Sequence, residues 1–269
     1  MNICFIGGGN MATALIGGLL GQGFTAGQIS VVEINAENRS RLIRDFAVRV
    51  VDSIKEGMKG SQAIVLAVKP QQLHEVIQEL AHGLSGQLLI SIAAGIRAVD
   101  IARWAGTETI VRAMPNTPAL IRCGMTGLYA LPSVDAAQRE QAQSILSAVG
   151  EVIWLDDEAM MDAVTAISGS GPAYVFYMME ALEEAAVALG FDDEDARKLS
   201  MATFLGAGKL ADGSQESVSV LRTRVTSKNG TTERALMSLE ANLVKQHIIE
   251  AAKAAAERSR ELGDELGRA

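Results

Sequence analysis

Cysteine, histidine, proline and aromatic residues are all scarce in this chain of 269 residues, and each shortage removes a class of explanation. Two cysteines, Cys4 and Cys123, cannot build a disulfide framework and suit a reducing compartment. Of the three histidines, His74 and His82 share one helical stretch and His247 lies in another. None has metal-ligand spacing to its fellows or to Cys, Asp or Glu, so no metal site is expected. There is no G-x-S-x-G elbow, which leaves hydrolase chemistry with little support. No apolar run approaches the ~18 residues of a membrane span. Met1 passes within a residue or two into a strand pattern, leaving no room for a targeting leader. Excess positive charge is missing too: 24 Lys and Arg stand against 32 Asp and Glu, a net charge of −8. Such a chain is not built to grip a phosphate backbone, so no nucleic-acid partner is expected, although a locally basic nucleotide pocket stays open. The expectation is a cytoplasmic globular protein long enough to bury a sizeable core.

What is present divides into two halves. "NICFIG" (2–7), "ISVVEI" (29–34), "AIVLAV" (63–68), "LLISIAA" (88–94) and "TIVRAM" (109–114) read as buried strands. "NMATALIGGLLGQG", "AENRSRLIRDF" and "PQQLHEVIQELAHGL" alternate with them at helical spacing, Pro70 suiting a first helical turn. "MTGLYAL" (125–131) and "EVIWL" (151–155) read as further strands around a helix near 135–148. After Asp156 every stretch is helical, with Asp192 or Asp193 as a helix cap. The fold expected is α/β: an N-terminal doubly wound, Rossmann-like, mostly parallel sheet over 1–156, then an all-helical domain over 157–269.

"FIGGGNMATALIGG" (5–18) sets Gly7, Gly9 and Ala12 in a G-x-G-x-x-A arrangement between the first strand and the first helix. Gly7 permits a tight turn, Gly9 lets backbone approach a pyrophosphate, and Ala12 permits close helix–strand packing, with helix N–H groups facing the anion. A dinucleotide is the cofactor expected. At the end of the second strand Glu33 is placed to accept hydrogen bonds from the adenine ribose and to repel a 2′-phosphate, while Arg39 and Arg41 would tolerate that phosphate. With no strong base in view, hydride transfer to an imine fits, because a protonated imine is already electrophilic. Two stretches are placed to position it. "SGSGPAY" (168–174) offers Ser168, Gly169, Ser170 and Gly171. "RVTSKNGTTERAL" (224–236) holds an Asn229–Gly230 turn before a helix start, where the N–H groups of Gly230, Thr231 and Thr232 form a nest for a small carboxylate, or else a plain capped loop.

"FIGGGNMA", "AVKP" (67–70), "SIAAGI" (91–96), "RAMPNTPA" (112–119), "SGSGPAYVF" (168–176) and "VTSKNGTT" (225–232) together resemble the pyrroline-5-carboxylate reductases. The resemblance implies reduction of 1-pyrroline-5-carboxylate to L-proline with NADPH or NADH, the last step of proline synthesis. It implies an interlocked homodimer through the helical half, with dimers often forming a decamer. By match, Gly7, Gly8, Gly9, Asn10 and Met11, with Ile6 before them, hold the pyrophosphate. Ala67, Val68, Lys69 and Pro70 line the cofactor, as do Ala93, Ala94 and Gly95, and Asn116 and Thr117 lie near the nicotinamide. Ser227, Gly230, Thr231 and Thr232 correspond to the substrate-carboxylate loop, Thr232 being the catalytic hydroxyl. On this resemblance the Ser168–Pro172 break ends one helix and starts another under the nicotinamide, its small residues leaving room for a flat five-membered ring.

Two departures stand out. Relatives commonly carry Pro-Gly-Gly where this chain has Lys228-Asn229-Gly230, a change that Asn229 can absorb by accepting left-handed backbone angles. Glu33–Ile34 replaces small polar or basic residues suited to a 2′-phosphate, which leans toward NADH. The rivals are a hydroxyacid dehydrogenase of similar layout and a dinucleotide sensor without turnover. The first usually carries a lysine after its glycine-rich turn, whereas "GPAYVFYMMEALEEAA" has none; the second has no use for a hydroxyl-rich loop at 226–232.

Overall fold

The computed structural model describes residues 1–268. Eight strands form one sheet: β1 (Ile3–Ile6), β2 (Ile29–Val32), β3 (Arg49–Val51), β4 (Ala63–Leu66), β5 (Leu88–Ser91), β6 (Ile110–Met114), β7 (Gly124–Ala130) and β8 (Gly150–Trp154), in the order β3-β2-β1-β4-β5-β6-β7-β8. Every pairing is parallel except β6 with β7. Strand alternation sorts β1 side chains onto two faces. Ile3 and Phe5 join one core with Leu15, Ile16 and Leu19 of α1 (Asn10–Gly21), Leu42 of α2 (Ala36–Phe46) and Ile145. Cys4 and Ile6 join a second core beneath α3 (Ile54–Gly57), α4 (Pro70–Ala81) and α5 (Ala98–Ala105), through Ile54, Leu73, Ile77 and Ile101. Ile145 belongs to α6 (Ala136–Leu146), whose start is capped by Asp135. The doubly wound sheet expected from the alternating pattern is therefore present, with a short β3 and helices α3 and α5 in addition.

After β8 the chain forms α7 (Met160–Val164) and then one wide turn over Thr165–Gly169, where the Ser170 N–H donates to the Thr165 carbonyl at 2.8 Å. The serine- and glycine-rich stretch thus widens a helix before α8 (Gly171–Ala188) begins, with Pro172 in that helix's first turn. Further helices are α9 (Asp193–Asp212), capped by Asp192 onto the Asp195 N–H at 2.9 Å, α10 (Val218–Arg224), α11 (Thr231–Ala241) and α12 (Val244–Leu266).

The chain divides into two compact units, Met1–Ser170 together with the stretch from Ala254 onward, and Gly171–Lys253. The sequence pattern changes at 156, but α7 and the wide turn belong with the sheet. A Cβ on Gly127 of β7 would sit 2.8 Å from Val164, and Asp162 accepts a hydrogen bond from Ser259 at 2.6 Å. The end of α12 is held there as well. Arg97 pairs with Asp264 at 2.5 Å, Arg103 donates to the Gly267 carbonyl at 2.6 Å, and Leu262 lies against Gly95. In the second unit only Ala196 and Ser200 are buried among the described residues, while Phe176, Tyr177, Leu205, Val218 and Met237 are exposed.

Candidate active site

In a doubly wound sheet, ligands bind beyond the carboxyl ends of the strands. There β1 passes into its helix through Gly7, whose N–H donates to the Val32 carbonyl at 2.8 Å. Gly7 has φ +103°, and a Cβ there would meet the Ala67 carbonyl oxygen at 2.6 Å, so only glycine fits. Gly9 is a different case: a Cβ on it meets nothing within 4 Å. It precedes α1, whose start has no side-chain cap and no acidic residue in its first turn. The free N–H groups and the positive helix end are therefore offered to an anion.

A cavity of about 410 Å³ opens beside this turn. Of the residues expected to bind the cofactor, Ile6, Gly7, Gly8, Gly9, Glu33, Ala67, Val68 and Lys69 line it. Asn10 and Met11 open α1, and Pro70 opens α4. Ala93, Ala94 and Gly95 follow β5, and Asn116 follows β6, at the same edge of the sheet. Free N–H donors at an uncapped helix start for a pyrophosphate, with the Glu33 carboxylate just after β2 to accept from ribose hydroxyls, are what a dinucleotide needs, so the residues fit that group. Among the described residues there is no cluster of His, Cys, Asp and Glu fit for a metal.

The Asn116 side chain is already engaged. Its Nδ2 donates to the carbonyl and hydroxyl of Ser168, both at 3.2 Å, and its Oδ1 accepts from the Met125 N–H at 2.9 Å. It ties β7 to the wide turn instead of presenting a free amide. Sequence reasoning also passed over Asp52, Glu75 and Glu79 on the cavity wall. Glu75 and Glu79 lie four residues apart on α4 and were legible from helical spacing, whereas Asp52 follows the unpredicted β3. A further pair went unseen. Arg112 of β6, 5% exposed, meets Glu158 at 2.9 Å, and the same carboxylate accepts from the Ala98 N–H at 2.7 Å to cap α5.

The residues expected to bind substrate fall in both units: Ser168, Gly169 and Ser170 in the first, Gly171, Ser227, Gly230, Thr231 and Thr232 in the second. Asn229 adopts φ +60°, the left-handed geometry the Lys228-Asn229-Gly230 departure demands. Its N–H donates to Glu233 at 2.7 Å. Gly230 precedes α11 without a side-chain cap, and its own N–H turns inward to the Ser227 carbonyl at 3.0 Å. That narrows the expected nest to the N–H groups of Thr231 and Thr232. A Cβ on Gly230 would meet the Ser227 hydroxyl at 2.4 Å, and one on Gly171 meets nothing within 4 Å.

Known proteins share both halves of this arrangement. The family profile described as pyrroline-5-carboxylate reductase dimerisation matches residues 158–262, and one described as NADP oxidoreductase, coenzyme F420-dependent, matches 2–95. The pyrroline-5-carboxylate reductase of Pseudomonas aeruginosa is 49% identical, with 98% of each chain covered. That of Haemophilus influenzae is 44% identical over 97% of each. The solved structure of a pyrroline-5-carboxylate reductase from Coxiella burnetii superposes with a TM-score of 0.93 at 42% identity, covering 97% of this chain and 98% of the other. The Plasmodium falciparum pyrroline carboxylate reductase, solved with NADP bound, gives 0.87 at 30% identity over 98% of both. A relative 49% identical over 98% of both chains, with a solved structure of the same family superposing over 97% of this one, places the chain in the pyrroline-5-carboxylate reductase family.

Proposed function

We propose that this protein reduces 1-pyrroline-5-carboxylate to L-proline with NADH or NADPH, the last step of proline biosynthesis. The observation that carries the reading is the extent of the likeness: a relative of that name is 49% identical over 98% of the chain, a span that includes both the anion-ready start of α1 and the Asn229–Thr232 turn. When bound, a reduced nicotinamide supplies the hydride that the C=N carbon accepts. The substrate nitrogen is protonated near neutral pH and takes up the C=N electron pair, so the residues orient more than they activate. The start of α1 anchors the pyrophosphate through backbone N–H groups. Thr231 and Thr232 N–H groups hold the ring carboxylate, and Ser227 braces the loop through its carbonyl on the Gly230 N–H. The Thr232 hydroxyl serves the ring nitrogen. Ser168, Gly169, Ser170 and Gly171 keep bulk away from a flat ring.

The exposed apolar faces of α8–α11 belong, in this reading, against a second copy of the chain. Helices that among the described residues bury only Ala196 and Ser200 expose an apolar surface of the kind that marks an interaction site, and the matched profile is one for dimerisation. Dimers assembling into a decamer, in the cytoplasm, complete the proposal. The test is direct. Purified protein given 1-pyrroline-5-carboxylate should oxidise coenzyme steadily and form proline in equal amount. Saturable coenzyme binding without oxidation would replace the reductase by a sensor, and a stable monomer in a mass measurement would remove the dimer.

A further inference from the structure

We infer that the coenzyme pocket is built for NADH and against NADPH, with Glu33 and Asp52 as the selecting residues; this rests on the dinucleotide reading above and deepens it. Glu33 is fixed before any ligand arrives. One carboxylate oxygen accepts from the Gly8 N–H at 3.0 Å and the other from the Asn35 N–H at 2.8 Å. Each oxygen keeps a lone pair for a ribose hydroxyl, and the glycine-rich turn itself sets the position of the carboxylate. Asp52, Glu75 and Glu79 line the same cavity, and Lys69 is the one cationic residue among its lining.

Two arginines stand near enough to have neutralised a 2′-phosphate, and both are turned to other work. Arg39 Nη1 donates to the carbonyls of Glu33 at 3.0 Å and Ile34 at 2.8 Å, and its Nη2 lies 3.9 Å from Asp52. Arg41 donates to the Gly8 carbonyl at 3.2 Å and to the Thr13 hydroxyl at 3.4 Å. Neither lines the cavity. A phosphate monoester carries about −1.5 to −2 charges at neutral pH. Bringing it beside a carboxylate that cannot swing away sets like charges together at low screening. It also removes a hydroxyl donor from a charged acceptor, a bond worth roughly one to two powers of ten in affinity.

Equilibrium titration of coenzyme fluorescence, with no imine present, tests the assignment on the intact protein. NADH should bind about 100-fold more tightly than NADPH at low salt, and the gap should narrow as salt rises. Glu33→Ser should cut the ratio at least tenfold. Because Glu33 also holds the turn, Asp52→Asn is the second arm: its side chain is 70% exposed, and the exchange should narrow the NADH-to-NADPH affinity ratio several-fold by tightening NADPH. Equal binding of both coenzymes, a preference for NADPH, or a ratio unmoved by both substitutions overturns the proposal. Tight NADH binding with no oxidation by 1-pyrroline-5-carboxylate would instead sink the reductase reading and leave this one standing.

Discussion

Replacing Gly7 and Gly9 separately by alanine should split a folding role from a binding role two residues apart. At Gly7 the new Cβ must occupy φ +103° and lie 2.6 Å from a backbone carbonyl oxygen that cannot rotate away. Strained backbone of this kind costs roughly 1–3 kcal/mol, and forcing an atom into a filled space adds about 1–3 more. A loss of about 3 kcal/mol is a large share of the ~5–15 kcal/mol that holds a folded domain together. At Gly9 the backbone is extended, φ −71° and ψ −173°, and the added carbon meets nothing. Its cost to the fold stays below about 1 kcal/mol, the usual difference between residues at a helix cap. The motif reserves this position for close approach of a pyrophosphate to backbone, so the added carbon should obstruct the anion. Losing one charge-assisted hydrogen bond there, about 1.5–3 kcal/mol, weakens coenzyme binding roughly 10–150-fold. Urea unfolding without coenzyme, at one fixed protein concentration, reads the first effect, and coenzyme titration reads the second. Gly9→Ala that unfolds as readily as Gly7→Ala, or that binds coenzyme normally, would refute the reasoning.

Other perturbations separate further parts of the molecule. Glu158→Ala should cost about 3–5 kcal/mol in the same unfolding assay, because it strands the buried Arg112 guanidinium and uncaps α5; a change under 1 kcal/mol would show the pair to be dispensable. Burial pushes the Cys4 thiol up to about 11, against smaller opposing effects of the Ser30 hydroxyl and Arg49, whereas Cys123 is exposed. A thiol reagent at mildly alkaline pH should therefore label Cys123 alone until the protein is unfolded, as mass spectrometry would show. The Arg97 hydrogen bond holds the Asp264 carboxyl below its usual range. Its stabilisation is present above the unfolded value and is lost as pH falls through the folded one. The melting temperatures of wild type and Asp264→Asn should differ at neutral pH and converge in acid, and a gap that persists in acid would contradict this. Gly171→Val should fold and bind coenzyme normally but lose the imine substrate; equal loss of both would assign Gly171 to packing.

The central strands and the first, second and fourth helices were legible because fully buried parallel strands are uninterrupted apolar runs and their helices repeat at 3.6 residues. Arg49–Val51 escaped because one exposed and two half-buried residues carry no alternation. Ala98–Ala105 escaped because alanine marks a buried face weakly. At the coenzyme turn the glycines announced themselves through backbone demands that a local spelling can express. The engagement of Asn116 with Ser168, and of Arg112 with Glu158, joins residues far apart along the chain. No local pattern encodes such partners. Gly230 shows the same limit on a smaller scale: its place before a helix was readable, but the inward turn of its N–H depended on Ser227.

The closing turns of α12 sit against Gly95 and Arg97, so the first unit is assembled from both ends of the chain. In synthesis the eight strands precede Leu262 and Asp264, which come more than 160 positions after the turn they cover. The turn after β5 must wait uncovered until α12 has been made. A nascent chain stalled before α12 would carry a formed sheet with the turn after β5 still bare, and a change at Leu262 would be felt at a glycine more than 160 residues earlier.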